Sequence, residues 1–212
     1  MEPKTQETKM KPETSLTSEK TADCCAGVNA AKTNAAVKTK PRKLHIGGKV
    51  SHPEWELLNI QAGPNVDHIG DAKDLSQFED ETFDELYASH VAEHFDYRGP
   101  LVQTLREWHR VLKPGGKLYI SVPDMNVLCQ LFIKRRELTI DHRFHVMRMM
   151  FGGHVDRYDY HYVGLDFDIL TSLLKMAKFR GCKRVEAFDI FDDTSKLRFV
   201  GVPISLNVIA YK

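Results

Sequence analysis

Two adjacent glycines, Gly47 and Gly48, follow the short apolar run Lys43-Leu44-His45-Ile46. A strand that ends in bare backbone can turn sharply and lets a ligand approach the main chain closely. Asp71 and Ala72 close a second run, Val66 to Ala72, and Ser89, His90, Glu93 and His94 follow a third, Phe83 to Ser89. A further cluster, His154, Asp156, Asp159 and His161, lies in the segment GGHVDRYDYHYVG at 152–164. Histidine suits proton transfer because its unperturbed pKa lies near neutrality, so His161 and His154 are the candidate general bases, with substrate binding and plain loop polarity as the alternatives. The same His and Asp spacing is compatible with a metal, but no Cys partner and no HExxH pattern accompanies it, and no metal is expected. Cys24, Cys25, Cys129 and Cys182 have spacings that support neither a disulfide framework nor a paired CxxC site.

These residues need elements to hold them. From Lys43 onward, short apolar runs alternate with amphipathic stretches, which is the pattern of βαβ units. Strands are expected at 43–46, 57–60, 66–72, 83–89 and 117–122, and again at 184–188 and 204–211. The periodic residues Leu101, Val102, Leu105, Trp108, Val111 and Leu112 predict a helix stopped by Lys113-Pro114-Gly115-Gly116. Further helices are expected near 125–136, 141–151 and 167–177. Only some nine residues, including Pro53, separate the first two strands, so any crossover helix there must be very short or irregular. The last strand alternates apolar and polar residues, which suggests that it is less completely buried than the others.

The first 42 residues differ in kind. They contain no Phe, Trp or Tyr and are filled with Lys, Thr, Glu, Ala and Asn, too little apolar surface to offset the entropy of ordering. The expected organisation is a disordered tail at 1–42 and one domain at 43–212. Residues 1–43 carry nine basic and five acidic side chains, leaving the rest of a chain of net charge +1 slightly acidic. A body of that charge lacks the basic stripe a nucleic-acid partner usually requires, so nucleic acid is not an expected partner. The N-terminus has no apolar core of the secretory type and no stretch is long enough to span a bilayer, which gives the expectation of a cytoplasmic protein without a membrane span.

Taken in order, LHIGG, VDHIGDAKDL, FDELYASHVAEHF and REWHRVLKPGGKLYISVPD, with the closing strand, resemble the class I methyltransferases that use S-adenosyl-L-methionine (SAM), close to the broad group called type 11. The resemblance covers nearly all of the 43–212 body. It implies an α/β fold with a doubly wound (Rossmann-like), mostly parallel sheet and a final antiparallel strand, and SAM as cofactor. It also implies that Gly47 and Gly48 face the methionine and ribose portions, that Asp71 takes the adenine amino group with Ala72 against the ring, and that Ser89 and His90 line the methionine end. The family's ribose-binding acid at the end of the second strand is replaced by Asn59-Ile60-Gln61, whose amide oxygens accept hydrogen bonds without a full charge. The implied activity is methyl transfer to a small-molecule, sugar or lipid acceptor. The rival reading is a non-catalytic, methyltransferase-like binding module, motivated by the thinned glycine loop and the missing acid. A dinucleotide oxidoreductase is disfavoured because GxGxxG is absent after Ile46.

Overall fold

The computed structural model describes residues 40–212. The tail expected at 1–42, with Cys24 and Cys25, falls almost wholly outside the described residues. Seven strands form one sheet: β1 (Lys43–Ile46), β2 (Glu56–Asn59), β3 (His68–Ile69), β4 (Phe83–Ser89), β5 (Leu112–Pro123), β6 (Arg180–Val185) and β9 (Ser205–Tyr211). Their order is β3-β2-β1-β4-β5-β9-β6, parallel from β3 to β5, with β9 antiparallel to both of its neighbours. This is the doubly wound, mostly parallel sheet with a final antiparallel strand that the resemblance implies. The helices are α1 (Pro100–Val111), α2 (Met125–Phe132), α3 (Ile140–Phe151) and α4 (Phe167–Met176). A two-stranded ribbon of β7 (Arg198–Phe199) and β8 (Val202–Pro203) precedes β9. None of the described helices is long and apolar enough to cross a membrane.

The two faces of the sheet are covered differently. Leu44, Ile46, Leu86, Ala88, Leu118 and Ile120 point to one side, where Leu101, Leu105 and Trp108 of α1 and Leu170 and Leu174 of α4 seal the main core. On the other side Tyr87 is sealed by Trp55 and Phe191, with Tyr119, Phe188 and Ile190 packed around them. Right-handed crossovers explain this division. Winding outward from β1 in opposite directions sends the 47–55 link over one face and α1 over the other. That first link contains no helix, only a bridge between His52 and Trp55. Nine residues with a proline leave no room for one, and the aromatic segment after β6 covers the face instead.

Several expected boundaries move. The third strand is two residues long rather than seven. Asp67, just before it, spends its carboxylate on the Leu57 amide (2.8 Å), which replaces a ladder bond. The helix expected to reach Arg136 stops at Phe132 because Lys134-Arg135-Arg136-Glu137 offers no apolar stripe to pack. The strand expected at 184–188 lies at Arg180–Val185. The closing strand is also more enclosed than its alternation suggests, since it runs between β5 and β6 with Leu206, Asn207, Val208 and Ala210 buried.

Candidate active site

The carboxyl ends of β1 to β4 open onto a cleft of about 1020 Å³. Gly47, Asn59, Gln61, Asp71, Ala72 and His90 form much of its floor, with His94 and the segment Val155–Asp159 on the far wall. The crevice lies where the direction of winding reverses, on either side of β1, which is where open α/β sheets bind ligands.

Gly47 turns the chain out of β1 at φ +75°, and its N–H donates to the Leu58 carbonyl at 2.8 Å, so the β1–β2 pairing continues into the turn. A Cβ at this position would lie 2.7 Å from Cγ2 of Val91. Gly48 has a different reason to be glycine, because the His45 ring fills the space its side chain would need. It is buried and is not part of the cleft lining, so of the two glycines only Gly47 offers bare backbone to a ligand.

Asn59 lies in the cleft wall, but most of its hydrogen-bonding capacity is used within the protein. Its Nδ2 donates to the Gly48 carbonyl at 2.8 Å, and its Oδ1 accepts from the Gln61 N–H at 2.9 Å. It braces the glycine turn, and one Oδ1 lone pair is left for a ligand hydroxyl. Asp71 closes an Asx turn on the Lys73 N–H (3.0 Å) and faces the Lys73 ammonium at 3.3 Å on a half-exposed surface, where such a pair is weak and easily exchanged. Ala72 is anchored from behind by the indole of Trp108, which donates to its carbonyl at 2.8 Å.

Ser89 and His90 part company. Ser89 alternates to the opposite face, where its hydroxyl lies 3.2 Å from that of Thr194, and it does not line the cleft. His90 has φ +55° and does line it, held by its N–H to the Ser121 carbonyl (2.8 Å) and by Nε2 against the Ser205 hydroxyl (3.0 Å). One turn of 3-10 helix, Ala92–His94, then brings Glu93 and His94 beneath the 152–164 segment. Glu93 is 1% exposed, yet neither carboxylate oxygen has a hydrogen-bond partner among the described residues. Nδ1 of His90 is 3.3 Å from Oε1, in ion-pair range but off the hydrogen-bonding direction.

His161 joins this group. The rings of His94 and His161 are 4.9 Å apart, and Glu93, His94 and His161 bring donor atoms within 4.8 Å of one another. Burial lowers the His161 pKa below its ordinary value, against the pull of Glu93. The loop is fixed by main-chain bonds from His161 N–H to the Phe151 carbonyl (3.0 Å) and from Tyr162 N–H to the Glu93 carbonyl (2.8 Å). His154 is placed elsewhere: it is exposed, stacked on Tyr160 at 4.1 Å, and bonded through Nε2 to the Phe151 carbonyl (2.9 Å). It is not a cleft residue. Lys49, Phe95, Tyr158 and Tyr162 also line the cleft without having been singled out in the sequence. The two tyrosines were detectable only as part of a His-, Asp- and Tyr-rich segment.

A SAM-shaped ligand is compatible with these residues. The turn at Gly47 is one that a Cβ would obstruct, a carboxylate stands at the end of β3, and the cleft is large enough for a nucleoside with a side arm. Residues 24–120 match the family model described as a methyltransferase domain. The chain is 27% identical over 167 residues to a demethylmenaquinone methyltransferase of Chlorobaculum tepidum and 29% identical over 168 residues to that of Chlorobaculum parvum. Each comparison covers 77% of this chain, and the chain spans 66% of the length of those relatives. A SAM-dependent methyltransferase from Archaeoglobus fulgidus has a similar fold, with a TM-score of 0.51 at 18% identity over 81% of this chain and 86% of that one. The family-model match over residues 24–120, the strand order and the cleft at the strand ends agree, and the chain has the fold of the class I methyltransferases and is similar in sequence to a methyltransferase domain.

Proposed function

We propose that the chain binds SAM in the cleft at the ends of β1 to β4 and transfers its methyl group to a small aromatic acceptor of the quinone or quinol type. The reading is carried by the convergence of Gly47, Asp71 and His94, from three separate segments, on one cleft whose far wall presents Tyr158 and Tyr162. Aromatic walls favour a planar acceptor over a sugar, and the names of the two Chlorobaculum relatives point to the same class of acceptor.

When bound, SAM supplies a sulfonium methyl group that an electron-rich atom displaces in line. The protein's contribution is alignment, which can lower a barrier by roughly 7–11 kcal/mol. Gly47 admits the ligand to the backbone, and Asp71 and the wall at Ala72 hold the adenine. Asn59 keeps the turn in shape. At the opposite end His94 reaches the cleft lining, with Glu93 and His161 beside it and outside that lining, and this group handles the acceptor's proton, a task worth roughly 10²–10⁴ in rate.

Calorimetry and thermal shift provide the test. SAM and its demethylated product should each bind the purified full chain and raise its melting temperature, and Asp71→Ala should weaken binding about tenfold through loss of an exposed charged hydrogen bond. No response at millimolar ligand would favour the non-catalytic binding module. With a hydroxylated naphthoquinone and radiolabelled methyl donor, His161→Ala should lower kcat about 10²-fold while SAM affinity stays within a factor of about two. An unchanged kcat would remove His161 from the reaction.

A further inference from the structure

We propose that Glu93, His94 and His161 form a site for a divalent transition metal of the zinc class, which ties the 152–164 loop to the chain end of β4. The proposal rests on an unusual carboxylate. Glu93 is buried next to the cleft, both of its oxygens lack hydrogen-bond partners among the described residues, and its ion-pair contact is a misaligned one with Nδ1 of His90 at 3.3 Å, which leaves the second oxygen unpaired. A buried carboxylate without a cation or a donor is costly and is normally paired, protonated or metal-bound.

The neighbouring donors suit a metal. Two imidazoles and one carboxylate are the His₂Glu set that zinc accepts with a fourth position open. Three donors around a tetrahedral zinc stand about 3.4 Å apart. The present group spans 4.8 Å, so side-chain rotation of about an ångström closes the gap. One of the histidines also has a ring nitrogen beside a backbone carbonyl: Nδ1 of His94 lies 3.0 Å from the Tyr160 carbonyl. Such outer bonds fix the tautomer and aim the free nitrogen of a metal-bound histidine.

The placement suggests a role. Glu93 and His94 come from the 3-10 turn after β4, whereas His161 comes from the loop whose residues Val155–Asp159 wall the cleft. A cation shared between them pins that wall in place and sits at the acceptor end, where His94 reaches the lining. This rests on the cleft proposed above, the proton role assigned there to His94 and His161 applying to the metal-free form because a metal-bound imidazole has no lone pair left to accept a proton, and its test is independent of SAM.

The experiment loads the metal-stripped full chain with Co²⁺ and with Zn²⁺. The expected result is one equivalent bound per chain, a visible ligand-field spectrum of four-coordinate Co²⁺, and a Zn²⁺-dependent rise in melting temperature. Glu93→Gln and His161→Ala should each weaken Co²⁺ binding beyond the roughly 10- to 100-fold that loss of an outer partner costs. His154→Ala should leave it unchanged. Because Glu93→Gln removes a buried charge, that variant should fold, and His161 is only partly buried and provides a second measurement. Binding that survives both variants, or that disappears on replacing Cys24 and Cys25 by serine, overturns the proposal. So does the absence of binding at micromolar metal. A SAM-induced thermal shift that persists in such a metal-free protein would leave the methyl-transfer reading standing.

Discussion

Asn59 shows how a single side chain can change its task without changing its place. It stands at the end of β2, where the family carries an acid, but its Nδ2 donates to the Gly48 carbonyl at 2.8 Å. A carboxylate there would meet that carbonyl with no proton to give. Asn59→Asp should therefore destabilise the chain by roughly 1–3 kcal/mol, at about 2–4 °C of melting temperature per kcal/mol for a chain of this length. A melting temperature equal to or above that of the parent would refute the bracing role. The departure from the family pattern was readable in the sequence, but its consequence was not. The amide's partners are carbonyls some eleven residues away, brought together only when β1 and β2 pair.

Among the elements, α2 depends on a cap that also joins distant strands. The Asp124 carboxylate accepts from the Asn126 N–H (3.1 Å) and the Val127 N–H (3.3 Å), while Arg184 of β6 donates to its other oxygen at 2.7 Å. Asp124 is 1% exposed, whereas Arg184 keeps about half of its surface in water. Asp124→Ala should thus cost about 1–2 kcal/mol, mainly through the cap, and Asp124→Asn, which keeps a capping oxygen, should cost less. Urea unfolding distinguishes the two, and equal losses would shift the emphasis to the ion pair. The strong periodicity of α1 and the Phe83, Leu86, Tyr87 and Ala88 positions of β4, entered from a polar turn, made those elements legible to the residue or nearly so. β3 was not, because its length is set by what Asp67 bonds and not by its own composition.

Across the molecule, the sheet face without helices carries a pH dependence. His45 is buried against Tyr87 and Phe191, with rings 4.9 Å and 4.2 Å away, and burial lowers its pKa to about 4 even though the Asp193 charge and the Val50 carbonyl act to raise it. The unfolded histidine titrates near 6.5, so between these values the unfolded chain holds a proton that the folded chain refuses. Stability from this group is complete above pH 6.5 and is lost as the pH falls toward 4, by up to about 3 kcal/mol. Urea midpoints at pH 7 and pH 4.5 should differ less in His45→Phe than in the parent, because phenylalanine keeps the packing without the titration. An equal difference in both proteins would place the acid sensitivity elsewhere.

While the doubly wound sheet and the place of Asp71 were implied by the family resemblance, the sequence by itself determined the alternation of strands and helices, the positions of most strands along the chain, the short link after β1 and the glycine turn. These are local or periodic features, and a chain of period-2 and period-3.6 apolar patterns punctuated by Gly and Pro records them directly. Only the tertiary structure decided that Ser89 faces away, that Gly48 makes room for His45, that His154 stands apart, and that Glu93, His94 and His161 meet. Those outcomes depend on which face of a strand a residue takes and on a contact between segments nearly 70 residues apart. Spacing along the chain carries no record of either, because both are decided when the sheet closes over its core.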